Sequence, residues 1–266
     1  MASSKIIKEL ISNQISINDA LNRLLLISME LNDKDTIEWI ESEKNGYKDD
    51  FVPEYRTVKA YFIGDYDIEG AGHIIHNKNQ VLPTLGVSKD LKEKLEHWNV
   101  RDSITILCGQ KKAYEENKRS GIPIHPEHFF MFEQDTNIHV TSAFIIVPEL
   151  SIDNILDKVK TKILKILIIL EKNFGNLDNF DIDIFDYDEN ELNNLRKVIG
   201  ANLKGDSIND IYIINSKFNK SNIGAGNIVK KESSTPITTK LNINKNENKE
   251  SLIKKVIKRI FKKNNK

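Results

Sequence analysis

The stretch SIDNILDKVKTKILKILIILEKNF, residues 151–174, decides the fold because it is the longest amphipathic helix that the sequence predicts. Its large aliphatic residues recur at helical spacing and form a broad apolar face. They are Ile152, Ile155, Leu156, Val159, Ile163, Leu164, Ile166, Leu167 and Leu170. Ser151 suits the start of a helix and Gly175 suits its end. We therefore expect this helix to organise the hydrophobic core.

Residues 5–45 precede the long helix and are predicted to form two or three shorter helices. A break is indicated at Asn32-Asp33, where Asp33 can cap the helix that follows. Gly46 can adopt the left-handed backbone conformation that ends this helix. The segment is therefore expected to be helical up to Gly46.

Pro53 marks a change from helical to alternating periodicity, and several elements are predicted beyond it. Strands are expected at 58–63, Ser103–Leu107 and Ile138–Val147, helices at Ser88–Trp98 and Glu189–Ile199, and a turn at Gly64-Asp65. The fold class is therefore predicted to be α+β, with N-terminal helices, a small mixed or antiparallel sheet and a long core helix.

Four segments are predicted along the chain from the changes in composition. They are a domain at 1–200, a short β or irregular extension at 201–216, a flexible linker at 217–248 and a basic amphipathic helix at 249–266. The linker is expected to be disordered because it is rich in Asn, Ser, Thr and Lys and has few large apolar residues.

The formal net charge of zero is a cancellation between two parts of the chain. Residues 249–266 carry a net charge of +7 and residues 1–248 carry −7, which excludes a basic field over the body of the protein. Cys108 is the only cysteine, which excludes an internal disulfide and favours a reducing compartment. With no apolar signal segment near the N-terminus, the predicted location is cytoplasmic.

The segment 249–266 has the pattern of a helix with one apolar and one basic half. The apolar residues are Leu252, Ile253, Val256, Ile257, Ile260 and Phe261, and the basic residues are Lys254, Lys255, Lys258, Arg259, Lys262 and Lys263. An anionic inner-membrane surface, a partner protein or the acidic body could each cover such a helix. Nucleic acid is disfavoured because Phe261 is its only aromatic residue.

Residues 37–56, IEWIESEKNGYKDDFVPEYR, resemble the signature of the AbiTii domain of bacterial abortive-infection, or phage-defence, proteins. The matching residues are Trp39, Glu43, Asn45, Gly46, Tyr47, Pro53, Glu54, Tyr55 and Arg56. The helix at Ile155–Phe174 also resembles a late helix of that domain. The resemblance covers residues 3–180 and implies N-terminal helices followed by an α+β region and a role in defence against phage. It implies no active site.

The signature residues also have a purely structural interpretation. Trp39 and Tyr47 are large enough to anchor a corner between a helix and a loop, and Arg56 can pair with Glu43 or Glu54. The alternative is a surface for a ligand or partner that uses Tyr55 and Arg56.

Other groups of polar residues point only weakly to chemistry. The pairs His73/His76 and His125/His128 have zinc-like spacing but lie in predicted loops or strand ends. The acidic residues Asp181, Asp183, Asp186 and Asp188 lack the glycine and spacing of a calcium loop and favour a strand with one solvated face. Cys108 is expected to be buried in a strand and inert. No metal or cofactor site is therefore predicted.

The segment Asn222–Asn227 is similar to the amide and glycine core of amyloid motifs used in cell-death signalling. Amide side chains of this kind can stack in register along a fibril. Gly224 and Gly226 fit an ordinary flexible linker equally well.

These observations favour a non-enzymatic defence protein, in which the domain senses or assembles and the basic tail engages a membrane or partner. The alternative is a nuclease or nucleotide-acting hydrolase built from residues such as Glu54, Lys59, Asp65 and Asp67, with the tail holding a phosphate-rich substrate. A homo-oligomer built through the long helix is a third possibility.

Overall fold

A computed structural model describes residues 4–48, 52–116, 121–179, 182–185 and 187–204. The predicted linker, the Asn222–Asn227 motif and the basic tail lie outside the described residues, as do Asp181, Asp186 and residues 205–216 of the predicted extension.

The described residues form helices and a small antiparallel sheet, which confirms the α+β class. The helices are α1 (Lys5–Ile11), α2 (Ile17–Glu30), α3 (Lys34–Asn45), α4 (Lys89–Glu96), α5 (Ile104–Glu115), α6 (Phe130–Glu133), α7 (Glu149–Phe174) and α8 (Glu189–Lys204). The strands are β1 (Thr57–Val58), β2 (Tyr61–Gly70), β3 (His73–Val81), β4 (Trp98–Asn99), β5 (Ile122–Pro123) and β6 (Ile138–Ile146). Single 3-10 turns occur at Glu54–Arg56 and Pro126–His128.

Helix boundaries near the N-terminus follow the predicted caps. The Asp33 side chain accepts a hydrogen bond from the Thr36 backbone N–H at 3.3 Å and so begins α3. Gly46 follows α3 with φ of +85°, in the left-handed region. Both predictions are confirmed.

Helix α7 lies at the centre of the larger hydrophobic core and packs against α1, α2, α5 and α8. The apolar face predicted for it is buried except at Leu164, which is half-buried. It begins at Glu149 after Pro148, two positions before the predicted start, and ends at Phe174 before Gly175. Burial of each such aliphatic side chain contributes about 1.5 to 3 kcal/mol, so α7 supplies much of the driving force for folding.

The main sheet has the strand order β3-β2-β6-β5 with antiparallel pairing throughout, and β1 pairs separately with β4. A second core lies against the main sheet, where the rings of Phe62 and Phe132 meet edge to face with centroids 5.0 Å apart. Strand β3 is at the edge of the sheet and exposed along nearly its whole length.

The predicted turn at Gly64-Asp65 is wrong, because β2 continues to Gly70. Gly64 is instead a point of close approach, since a Cβ atom there would lie 1.9 Å from the Ser142 carbonyl oxygen. The pairing of β2 with β6 shifts register just beyond it. The Asp65 carboxylate supports this bulge by accepting bonds from the Asn79 N–H at 2.7 Å and the Ser142 hydroxyl at 3.0 Å.

The strand predicted at Ser103–Leu107 is also wrong, because this segment begins helix α5. Ser103 is its N-cap and accepts a bond from the Ile106 N–H at 3.3 Å. A short apolar run alone does not distinguish a strand from a buried helix, so the capping serine was the informative residue. Cys108 is consequently an exposed helical residue and not a buried strand residue.

Three further elements differ slightly from those predicted. Residues 182–185 form no strand; Ile182 packs into the larger core from an irregular segment. Helix α8 continues past the predicted end at Ile199 to Lys204, and Trp98 lies in β4 beyond the end of α4. Within the residues that the structure describes, no helix is long and apolar enough to span a membrane.

We predict that Gly64→Ala lowers the free energy of unfolding by about 2 kcal/mol or more, because the new methyl group must push β2 and β6 apart. Gly109→Ala is the matched control: Gly109 lies inside α5 with open space around it, and alanine should stabilise the helix by about 1 kcal/mol. Urea unfolding followed by circular dichroism measures both. Equal stability of Gly64→Ala and the parent chain would contradict the close approach.

Candidate functional site

Several of the signature residues meet around one buried carboxylate. Trp39 and Glu43 lie one turn apart on α3, and Tyr55 and Arg56 lie on the 3-10 turn that precedes the sheet. The side chains of Glu43 and Arg56 form an ion pair and are both fully buried. We call Trp39, Glu43, Tyr47, Tyr55 and Arg56 the anchor network.

The Arg56 guanidinium is held by both carboxylate oxygens and by the backbone of another segment. Its Nε donates to Glu43 Oε1 at 3.2 Å and its Nη2 donates to Glu43 Oε2. Its Nη1 donates to the carbonyls of Val100 at 3.1 Å and Asp102 at 2.7 Å. Burial works against the charge of Arg56, but the Glu43 carboxylate outweighs it and the pKa of Arg56 lies above its ordinary value.

Two tyrosines complete the coordination of Glu43. The hydroxyls of Tyr47 and Tyr55 each donate to Glu43 Oε1 at 2.6 Å, and the Trp39 indole donates to the Tyr55 hydroxyl at 2.9 Å. Burial, and then the negative charge of Glu43, raises the pKa of both tyrosines well above the ordinary tyrosine value. They therefore remain neutral hydrogen-bond donors to the carboxylate.

A cleft of about 1300 Å³ opens beside the anchor network. Helix α3 lines it with Asp35, Glu38 and Glu41, which we call the acidic wall. Lys158 and Lys162 of α7 and Lys204 of α8 also line it, and we call them the basic wall. Trp39, Tyr55, Lys48 and Glu54 are further lining residues. The cleft thus combines an acidic wall, a basic wall and aromatic side chains.

Lys162 connects the cleft to the anchor network. Its Nζ donates to the carbonyls of Asn202 at 3.0 Å and Leu203 at 2.7 Å, in the last turn of α8, and lies 5.2 Å from the centre of the Tyr55 ring. Burial lowers the pKa of Lys162, and the charge of Lys165 lowers it further. Long-range contacts of this kind leave no local sequence signal, and sequence reasoning missed this residue.

The AbiTii family model matches residues 3–197. The chain belongs to the AbiTii family. The name of this family indicates a role in abortive infection, a form of defence against phage. No curated protein and no solved structure matches the chain significantly.

The structure places the residues of the AbiTii signature in two environments. Arg56 is fully buried and paired with Glu43, so of its two predicted partners Glu43 is the one that it contacts. Glu54 is exposed beside the cleft, whereas Tyr55 is half-buried and lines it. The signature therefore builds an internal anchor and one edge of the cleft.

The histidine pairs of this AbiTii domain lie in separate elements. His73 and His76 are exposed on β3, where His76 Nδ1 lies 2.7 Å from Asp67 Oδ1. His125 precedes the 3-10 turn Pro126–His128, and His128 is its last residue. The described part of the chain contains no group of three or more His, Cys, Asp or Glu residues placed to hold a metal ion.

Three of the four residues considered for a nuclease, Lys59, Asp65 and Asp67, have partners elsewhere. The Lys59 ammonium pairs with Glu96 at 2.6 Å. Asp65 supports the bulge of β2, Asp67 contacts His76, and Glu54 borders the cleft. In the AbiTii domain Lys59, Asp65 and Asp67 therefore contribute to local structure through these contacts.

We predict that Glu43→Gln lowers the free energy of unfolding by about 3 kcal/mol or more, because it leaves the Arg56 charge buried without a counter-charge. Glu41→Gln removes an exposed carboxylate from the same helix and should change stability by less than about 0.5 kcal/mol. Urea unfolding of the three chains tests this. Similar values for the two variants would show that the buried pair is not a structural anchor.

Proposed function

We propose that the chain acts in abortive-infection defence as a non-enzymatic sensing or assembly protein whose basic tail engages the inner membrane. The membership of residues 3–197 in the AbiTii family carries the defence role. Glu43 and Arg56 are the most deeply buried charged residues of the signature. They pair with each other, and Arg56 also bonds to backbone carbonyls within the fold. This supports a domain whose signature maintains shape and a ligand-accessible cleft, with the effect on the cell exerted through another part of the chain.

The amino-acid pattern of residues 249–266 supports the membrane step. An isolated helix of this length is marginal in water and gains order from the surface that it binds. Burial of its apolar residues contributes about 1.5 to 3 kcal/mol for each large side chain, and each basic residue near an anionic leaflet adds about 1 kcal/mol. These gains together are large enough to outweigh the cost of ordering the segment.

Phage protection tests the defence role. Cells that express the chain should give fewer phage plaques than cells with an empty vector, and a chain ending at Asn248 should lose this protection. A chain ending at Lys263 is the matched control, since it lacks the last three residues but keeps both halves of the amphipathic pattern. Equal plaque numbers with the intact chain and the empty vector, across a panel of phages, would count against the defence role.

Sedimentation with liposomes tests the membrane step separately. The full chain should pellet with vesicles of phosphatidylglycerol and phosphatidylcholine and less with phosphatidylcholine alone. The variant carrying Ile257→Asn and Ile260→Asn keeps every basic charge and should remain in solution, because the apolar half of the segment is interrupted. Equal pelleting of the full chain and the chain ending at Asn248 would remove the membrane step and favour a protein partner for the tail.

A further inference from the structure

In the part of the chain that the structure describes, the charged residues of the acidic and basic walls form no ion pairs with each other, unlike several charged residues elsewhere on the surface. Lys59 pairs with Glu96 and Lys111 pairs with Asp153, each at 2.6 Å. By contrast, no ion pair among the described residues joins the α3 carboxylates of the acidic wall to the lysines of the basic wall. Both sets of charges are therefore available to a ligand placed between the walls.

The basic wall is a cluster of like charges. Lys158 and Lys162 lie one turn apart on the same face of α7. Lys162 bonds to the Leu203 carbonyl, so its ammonium lies beside the backbone that leads into Lys204. An ammonium has three donors, and the two carbonyl bonds leave one of them for a further acceptor. An anion at this wall would relieve the mutual repulsion of the lysines and fill that position.

The acidic wall limits which anions fit. The carboxylates of Asp35 and Glu38 would repel a ligand that is uniformly negative, but they accept hydrogen bonds from hydroxyl and amino groups. Trp39 and Tyr55 add aromatic surface to the lining of the cleft. The matching ligand therefore carries phosphate at one end and hydroxyl or amino groups with a planar ring at the other.

We propose that this cleft binds a nucleotide, with the phosphates at Lys158, Lys162 and Lys204 and the ribose and base towards α3. Its volume of about 1300 Å³ is ample for a mononucleotide, given that small-molecule pockets commonly measure about 300 to 1,000 Å³. This inference rests on the proposed function in one respect: the nucleotide would be the molecule that the domain senses. Binding itself is measured without phage or membrane.

Equilibrium binding to the full chain tests the assignment, with the four ribonucleoside triphosphates as probes and with tripolyphosphate and adenosine as partial probes. The cleft variant carries Lys158→Gln and Lys204→Gln and keeps Lys162, which bonds to the carbonyls of Asn202 and Leu203. The matched control carries Lys172→Gln and Lys197→Gln, which removes two exposed charges from the same helices outside the cleft lining. The basic tail is present in all chains, so its own attraction for phosphate cancels in the comparison.

We expect at least one nucleoside triphosphate to bind at concentrations below about 1 mM, about tenfold more weakly to the cleft variant and nearly unchanged to the control. Tripolyphosphate and adenosine should each bind more weakly than the nucleotide. Absence of binding by all four nucleotides, or equal weakening in the two variants, would overturn the site. Tripolyphosphate binding as tight as the nucleotide would overturn the nucleotide assignment. Each of these results leaves the phage and liposome outcomes unaffected, so the two proposals fail separately.

Discussion

The buried ion pair between Glu43 and Arg56 is the interaction on which the rest of the domain depends. It connects α3 to the turn that precedes the sheet, and through the carbonyls of Val100 and Asp102 it also holds the segment that leads into α5. A buried pair of this kind need not be more stable than apolar residues of the same volume. Its contribution is specificity, because the guanidinium donates to both oxygens of the carboxylate and to the carbonyls of Val100 and Asp102, which fixes these three segments relative to one another.

The geometry of the cleft follows from that arrangement. Glu43 and Trp39 fix the Tyr55 hydroxyl, which orients the Tyr55 ring towards Lys162. Lys162 in turn donates to the carbonyls of Asn202 and Leu203 in α8. The acidic wall on α3 and the basic wall on α7 and α8 are thus positioned by one continuous series of contacts that begins at the ion pair.

Sequence reasoning recovered the features that local patterns determine. The buried face of α7, the cap at Asp33 and the left-handed Gly46 were predicted because each depends on residues close together in the chain. Gly64 was misinterpreted because a glycine beside an aspartate fits both a turn and a bulge, and only the approach of β6 distinguishes them. The cleft was missed for the same physical reason, since its two walls come from elements more than a hundred residues apart and neither wall has an unusual local composition.

The anchor network and the charged cleft beside it also indicate which part of the domain a bound ligand would affect. On the proposed nucleotide, a phosphate oxygen would accept a hydrogen bond from the third N–H of the Lys162 ammonium, whose other two donate to the carbonyls of Asn202 and Leu203. Those carbonyls belong to α8, whereas the anchor network is connected by its own hydrogen bonds around Glu43. Occupancy of the cleft would therefore act more directly on α8 than on the fold around Glu43, because the phosphate and the α8 carbonyls would share one ammonium.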